Sequence, residues 1–139
     1  MADSFQIEVA TPERLLVNEQ ARTSQIPTPK GYIGVLPDHA PLISELGIGV
    51  LSFEDTHAQR FVLAVSGGFI EIHENHVRVV ADSAEFGNEV KQNEAEQQLR
   101  TAEQEMMHPA PDADSLAAVA RYKHAQARLD AAREGTGQG

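Results

Sequence analysis

Apolar and polar residues alternate along the first 86 residues and recur at helical spacing after that. Phe5, Ile7 and Val9 alternate with Gln6 and Glu8, the period-2 signature of a strand with one buried face. "RFVLAVS" (60 to 66) is almost continuously apolar and β-branched, as suits a central strand. After a glycine pair, Ile70 and Ile72 face Val77 and Val79 across Glu74-Asn75, a two-residue turn in which Asn tolerates the positive φ of a tight hairpin. Shorter runs at 13 to 19, 21 to 27, 32 to 36, 42 to 46 and 48 to 54 predict further strands, with Gly and Pro between them. From Asn88 onward Glu, Gln, Ala, Leu and Met replace the β-branched residues. Asn88 is the expected N-cap of a first helix over 88 to 107, with Ala95, Leu99, Ala102 and Met106 on one face. "HPAPDAD" (108 to 114) stops it, because two prolines cannot continue a helix. Asp114 or Ser115 then caps a second helix running to about Arg133, and "GTGQG" is expected to fray. The pattern predicts an N-terminal antiparallel β-sandwich or flattened barrel (1 to 86), then a C-terminal antiparallel two-helix hairpin (87 to 139).

The alanines of the second helix (117, 118, 120, 125, 127, 131 and 132) permit close backbone approach but bury little area each. At about 25 cal/mol per Å² such a face holds weakly, so the hairpin reads as a detachable element. Charge sharpens this picture. The first helix carries Glu89, Glu94, Glu96, Glu103 and Glu105 against Lys91 and Arg100, and the second carries Arg121, Lys123, Arg128 and Arg133 against Asp130. These are either two solvated faces whose opposite charges help the hairpin close, or a basic helix able to leave its acidic mate for an acidic partner. The two readings are compatible.

Composition narrows the function classes. A net charge of −10 and an aromatic content of 5% without tryptophan argue against nucleic acid, which needs a basic field or rings to stack on. The absence of cysteine excludes disulfides, thiolate metal sites and cysteine nucleophiles. "MADSFQIEVA" has neither the basic nor the apolar region of a secretory signal, and no window approaches a membrane span, so the chain is expected on the cytosolic side.

Three groups are candidates for chemistry. His73 and His76 flank the hairpin turn and supply two ligands of a metal site, but no third ligand has diagnostic spacing. "SGGF" (66 to 69) lacks the surroundings of a phosphate loop and reads as a bulge or close backbone approach. Asp38-His39 in "GYIGVLPDHAP" (31 to 41) has the components of an acid-base pair, with only Glu45 as a further titratable group nearby. The stretch also reads as a corner fixed by Pro37 and Pro41, with Asp38 accepting a turn hydrogen bond. No persuasive catalytic set, metal site or cofactor site emerges.

The order of these motifs resembles the epsilon subunit of F-type ATP synthases of the bacterial and chloroplast type. "GYIGVLPDHAPLISELGIGVL" (31 to 51) is similar to that family's Gly-x-x-Gly-(Ile/Val)-Leu-Pro-x-His-(Ala/Ser)-Pro segment and the strand after it. "VSGGFIEIHENHVRVVADSAE" (65 to 85) is similar to its Ser-Gly-Gly-Phe hairpin ending in Ala-Asp-x-Ala-Glu, and "FQIEVATPERLL" fits its opening strand and turn. The likeness covers the first domain closely and the second in architecture.

The resemblance implies a non-catalytic rotor subunit, peripheral at the cytoplasmic face of a bacterial membrane and held there only through its complex. Its partners would be the gamma subunit and the ring of c subunits, and, when the hairpin extends, the beta and alpha subunits, with ATP hydrolysis blocked. Tyr32, Asp38 and His39 are then candidates for the rotor interface, and Arg121, Lys123, Arg128 and Arg133 for the inhibitory helix. One departure concerns ATP, which several bacterial members bind through an (Ile/Leu)-Asp-x-x-Arg-Ala motif. Here the stretch is "VKQNEA" (90 to 95), with Lys91 for the aspartate and Glu94 for the arginine, so no ATP binding is expected. The competing readings are a small metal-assisted enzyme using His39 or His73/His76, and a binding module of another assembly.

Overall fold

A computed structural model describes residues 1–136; the expected fraying of "GTGQG" concerns in part residues 137 to 139, which lie outside the described residues. Seven strands precede two helices: β1 (Phe5–Ala10), β2 (Leu15–Thr28), β3 (Gly31–Val35), β4 (Leu42–Glu45), β5 (Gly49–Asp55), β6 (Arg60–His73), β7 (His76–Phe86), α1 (Gln92–Met107) and α2 (Ser115–Thr136).

The strands close into a flattened barrel. The sheet order is β1-β7-β6-β5-β2-β3, with an additional β1–β2 pairing that joins the ends into a ring, while β3 and β4 flank it on β2 and β6. The sheet is antiparallel as expected except at one seam, where β1 runs parallel to β7, from Gln6 beside His76 to Ala10 beside Val80. An antiparallel meander cannot close without one such pair when the first and last strands enter from the same end. The interior is filled by alternate residues of the ring, among them Phe5, Ile7, Val9, Leu51, Leu63, Val65, Ile70, Ile72, Val77 and Val79.

Two expected strand boundaries disappear. The runs 13 to 19 and 21 to 27 form the single strand β2, whose first half pairs with β1 and whose second half pairs with β5 and β3. Between them is a bulge at Ala21/Thr23 and not a turn, since Glu19-Gln20-Ala21-Arg22 contains nothing that forces the chain to reverse. Likewise 60 to 66 and 70 to 72 belong to one strand. The first half of β6 pairs with β5 and the second with β4, while β7 follows in unbroken register along both. The handover falls at Gly67 and Gly68, with φ of 69° and 113°. A Cβ on Gly68 would lie 1.9 Å from the Val80 carbonyl oxygen, so "SGGF" is a close backbone approach. The β6–β7 turn is as expected, with Glu74 and Asn75 both at positive φ (49° and 59°).

"RFVLAVS" is apolar throughout because both of its faces are covered. Leu63 and Val65 point into the barrel, whereas Val62 and Ala64 meet Val50 and Ala131, the last from α2. The helical hairpin therefore lies on the outside of the barrel, over β5 and β6.

Candidate functional site

The site is the seam between the hairpin and the barrel, and local sequence fixes how the chain enters it. After β7 comes a single 3-10 turn, Gly87–Glu89, and α1 begins only at Gln92. Asn88 is therefore not the N-cap. Glu89 is committed elsewhere: its carboxylate accepts the Phe86 N–H at 3.0 Å and pairs with Arg14 at 2.9 Å, and these bonds hold its pKa down, Arg14 contributing most. Lys91 takes the N-cap position without a side-chain bond. The second helix starts as expected, with Asp114 Oδ1 accepting the N–H groups of Leu116 and Ala117 at 3.0 and 3.2 Å.

Small residues set the distance of α2 from the barrel. A Cβ on Gly87 would stand 2.2 Å from the Ala131 carbonyl oxygen, so helix backbone crosses strand end with no side chain between them. Ala118, Ala125, Ala127, Ala131 and Ala132 are all buried. On α1, only Ala95 and Ala102 are buried. Met106, expected on the same face, is 43% exposed, because it lies beyond the last buried alanine, toward the loop. A cleft of about 550 Å³ separates α1 from the barrel, bounded by Ile48 and Ser66 on one side and by Gln97, Thr101 and His124 on the other.

Across this seam runs one charged cluster. Arg128 is 8% exposed and is the one buried charged residue among the described residues. Its Nε donates to Glu85 Oε1 at 2.5 Å, and its Nη1 donates to Glu94 Oε1 at 3.0 Å and to Gln98 Oε1 at 2.5 Å. One guanidinium thus joins α2, the end of β7 and the first turns of α1. Burial acts to lower its pKa, but the hydrogen bonds to Glu85 and Glu94 outweigh that and raise it. His124, one turn earlier, is pushed down by burial and by the Arg128 charge, against a smaller opposing pull from Glu85.

The other basic candidates are placed differently. Arg121 pairs with Glu105 at 2.8 Å, closing the hairpin on itself. Lys123 is exposed and borders a recess shared with Tyr32 and Tyr122, and Arg133 is exposed near the end of α2. The expected solvated basic face therefore excludes Arg128, whose ring of acceptors removes it from solvent. Glu85 and Gln98 escaped the sequence reading. Glu94 and Gln98 have the i, i+4 spacing that puts both on one helical face, which is the signal that was available.

Tyr32, Asp38 and His39 do not gather into a chemical site. The Tyr32 hydroxyl accepts the Val50 N–H at 2.9 Å beside α2. Asp38, at φ 66°, accepts from Asn75 Nδ2 at 3.0 Å and from the Ala2 N–H at 3.2 Å, while its own N–H donates to Asn75 Oδ1 at 2.6 Å. These bonds, that from Asn75 foremost, lower its pKa and tie the corner to the β6–β7 turn. His39 turns away and donates through Nδ1 to the Ala40 carbonyl at 2.6 Å. His73 and His76 stand opposite each other in register, His73 3.9 Å from Glu74 and His76 3.2 Å from Glu8. Among the described residues, no three His, Asp or Glu side chains converge as a metal ion would require.

Comparison with known proteins extends this description. Residues 4–87 match the family model of the ATP synthase delta/epsilon chain, β-sandwich domain. The chain is 45% identical over 129 residues to the ATP synthase epsilon chain of Solibacter usitatus, covering 93% of this chain and 96% of that one. It is 34% identical over 123 residues to the chloroplastic ATP synthase epsilon chain of Pelargonium hortorum, covering 88% and 92%. Among solved structures, a chain of the Euglena gracilis mitochondrial ATP synthase (OSCP, F1 and c-ring) superposes with a TM-score of 0.83 at 20% identity, covering 96% of this chain and 83% of that one. At that identity the likeness speaks for the fold.

Proposed function

Because the chain belongs to the family of ATP synthase epsilon chains, we propose that it is a non-catalytic central-stalk subunit that helps couple rotation to ATP synthesis and restrains ATP hydrolysis through its helices. The barrel is the rotor-binding part, docking on a gamma subunit and a ring of c subunits. The hairpin is the regulatory part, meeting beta and alpha subunits when it extends. The complex places the protein peripherally at the cytoplasmic face of a bacterial membrane; no described helix is long and apolar enough to cross one.

The observation that carries the regulatory half is the mismatch at the seam. The longer helix of the hairpin has 22 residues, which the rise of an α-helix extends to about 33 Å. A unit of that length rests on the barrel through alanines, one leucine, one buried guanidinium and the half-exposed Arg60–Glu134 pair. Such an interface suits reversible docking. Arg121, Lys123 and Arg133 supply cations for an acidic surface of a partner. An ATP role is disfavoured by the fate of the degenerate motif: Glu94 brings an anion where the family's motif has a cation, and that anion is spent on Arg128. Titration of the protein with magnesium ATP should give no heat of binding, and micromolar affinity would reject this part.

The enzyme reading lacks support in the geometry, since His39 and Asp38 are each engaged by different backbone and amide groups. The decisive experiment adds the purified chain to a bacterial ATP synthase depleted of its epsilon subunit. Hydrolysis should fall several-fold, and Arg121→Ala/Lys123→Ala/Arg133→Ala should restore most of it. Failure of the native chain to join the complex or to lower hydrolysis would overturn the proposal.

A further inference from the structure

We propose that Asn75 is a positioning residue: its carboxamide holds the Pro37–Pro41 corner in shape before any partner arrives, so that the barrel docks through a surface already formed. The clamp rests on geometry alone, whereas the docking it serves rests on the rotor-subunit reading above.

Turn chemistry alone does not account for Asn75. The second position of a tight hairpin turn needs only a residue that tolerates positive φ, and glycine does so at least as well. Asn75, at φ 59°, does more. Its Nδ2 donates to Asp38 Oδ1 at 3.0 Å, its Oδ1 accepts the Asp38 N–H at 2.6 Å, and its backbone carbonyl accepts the Gln6 N–H at 2.8 Å. The other carboxylate oxygen of Asp38 accepts the Ala2 N–H at 3.2 Å. One residue thus joins the β6–β7 turn to the start of β1 and to a corner 37 positions earlier in the chain.

The corner is strained and adds little to the core. Asp38 sits at φ 66°, a left-handed conformation that a non-glycine residue keeps only where its surroundings fix it. Asp38 is exposed, and Leu36 and Ile43, which flank the corner, are 62% and 78% exposed. Ile43 is in register with Glu71, and Glu45 with Phe69, so two exposed carboxylates alternate with two exposed apolar side chains on the outer face of β4 and β6. A clamped corner between large apolar side chains in water suits a contact surface and not a core element. The partner it fits is a protein surface that is apolar and carries lysine or arginine, which on the rotor reading belongs to the gamma subunit. Holding the corner in advance removes the ordering cost at the moment of docking. The clamp lies at the start of β7, whereas the hairpin enters from the other end of that strand, so docking and inhibition can be read apart.

The test uses the full chain and a bacterial ATP synthase depleted of its epsilon subunit. Asn75→Gly keeps the turn and the bond from Gln6 and removes only the carboxamide. In the isolated chain the Asp38 amide should then exchange about tenfold faster, while the urea midpoint of the strand signal stays close to native. The concentration giving half-maximal inhibition of hydrolysis should rise about tenfold, with inhibition at saturation unchanged. N75D, which sets an oxygen against the Asp38 carboxylate, should weaken docking at least as much. D38N/N75D exchanges amide and carboxylate between the two positions and restores each bond with one donor reversed. It should return the half-maximal concentration to within about threefold of native. Native exchange at Asp38 in N75G would overturn the clamp. Faster exchange with a native half-maximal concentration, or no rescue by the exchanged pair, would overturn the positioning role. Weaker inhibition at saturation would put the corner in regulation and likewise sink that role. Should the native chain itself fail to join the complex, the rotor reading falls and the docking role with it, while the exchange result still decides the clamp.

Discussion

The barrel and the helical hairpin are buried through very different side chains. Inside the barrel, Phe5, Ile7, Ile26, Leu51, Leu63, Ile70, Ile72 and Val77 are all at or below 2% exposure and interlock from every strand of the ring. At the hairpin seam the buried residues of the helices are alanines, one leucine and one arginine. A buried Leu or Ile removes several times the apolar area of an alanine methyl, so the barrel gains more cohesion per buried residue than the hairpin seam does. The barrel is held closed by this apolar interior. The hairpin seam buries less apolar area per residue, and the Arg128 cluster supplies its specificity.

That contrast can be broken from the barrel side first. Leu63→Ala empties a fully buried position in the central strand and should cost about 3 kcal/mol of global stability, read as a lower urea midpoint of the strand signal. An equal loss confined to the helices would contradict the division of labour. Gly68→Ala comes next. It sets a Cβ against the Val80 carbonyl at a φ of 113°, and should cost about 2 kcal/mol or more, again across the whole barrel. Gly87→Ala shifts the test to the seam. Its Cβ would collide with the Ala131 carbonyl, so hydrogen exchange should accelerate in α2 by about tenfold while amides of β6 and β7 keep native protection. Matching acceleration in both regions would show the hairpin and barrel to be one cooperative unit.

The smallest effect concerns pH. His124 has a folded pKa below its ordinary 6.5, so the docked hairpin binds fewer protons than the released one. Docking is then at full strength above pH 6.5, weakens as pH falls through the lowered value, and levels off below it. Protection of α2 amides followed from pH 7.5 to 5 should show this decline, and His124→Gln should flatten it. The groups facing His124 matter to the sign: Arg128 opposes its protonation and Glu85 favours it, with burial the larger influence.

Local sequence carried the barrel strands wherever one face is wet and one dry, as at Phe5, Ile7 and Val9, and carried the β6–β7 turn through Asn75, because both follow from the backbone period and one dihedral. It misplaced boundaries wherever a strand changes neighbours without turning, at Ala21 and at Gly67-Gly68, since handover between partners leaves no local mark beyond a bulge or a glycine. It also placed the first helix too early, because Glu89 finds its partner at Arg14, 75 residues away. Of the seam, the sequence identified the weak alanine face and the cations of α2. It did not distinguish Arg128 from Arg121, Lys123 and Arg133, since all four are the same kind of residue on one helix.

By itself, then, the chain determined its period, its two building styles and the charge opposition of its helices, all of which are set by neighbours within a turn or a strand. Only the tertiary structure decided which strand closes the ring, where Glu85 and Glu94 meet, and which arginine is taken out of water between them. Those outcomes depend on groups that are remote along the chain and a few ångströms apart in space, where desolvation and pairing turn one ordinary surface residue into the tie between two domains.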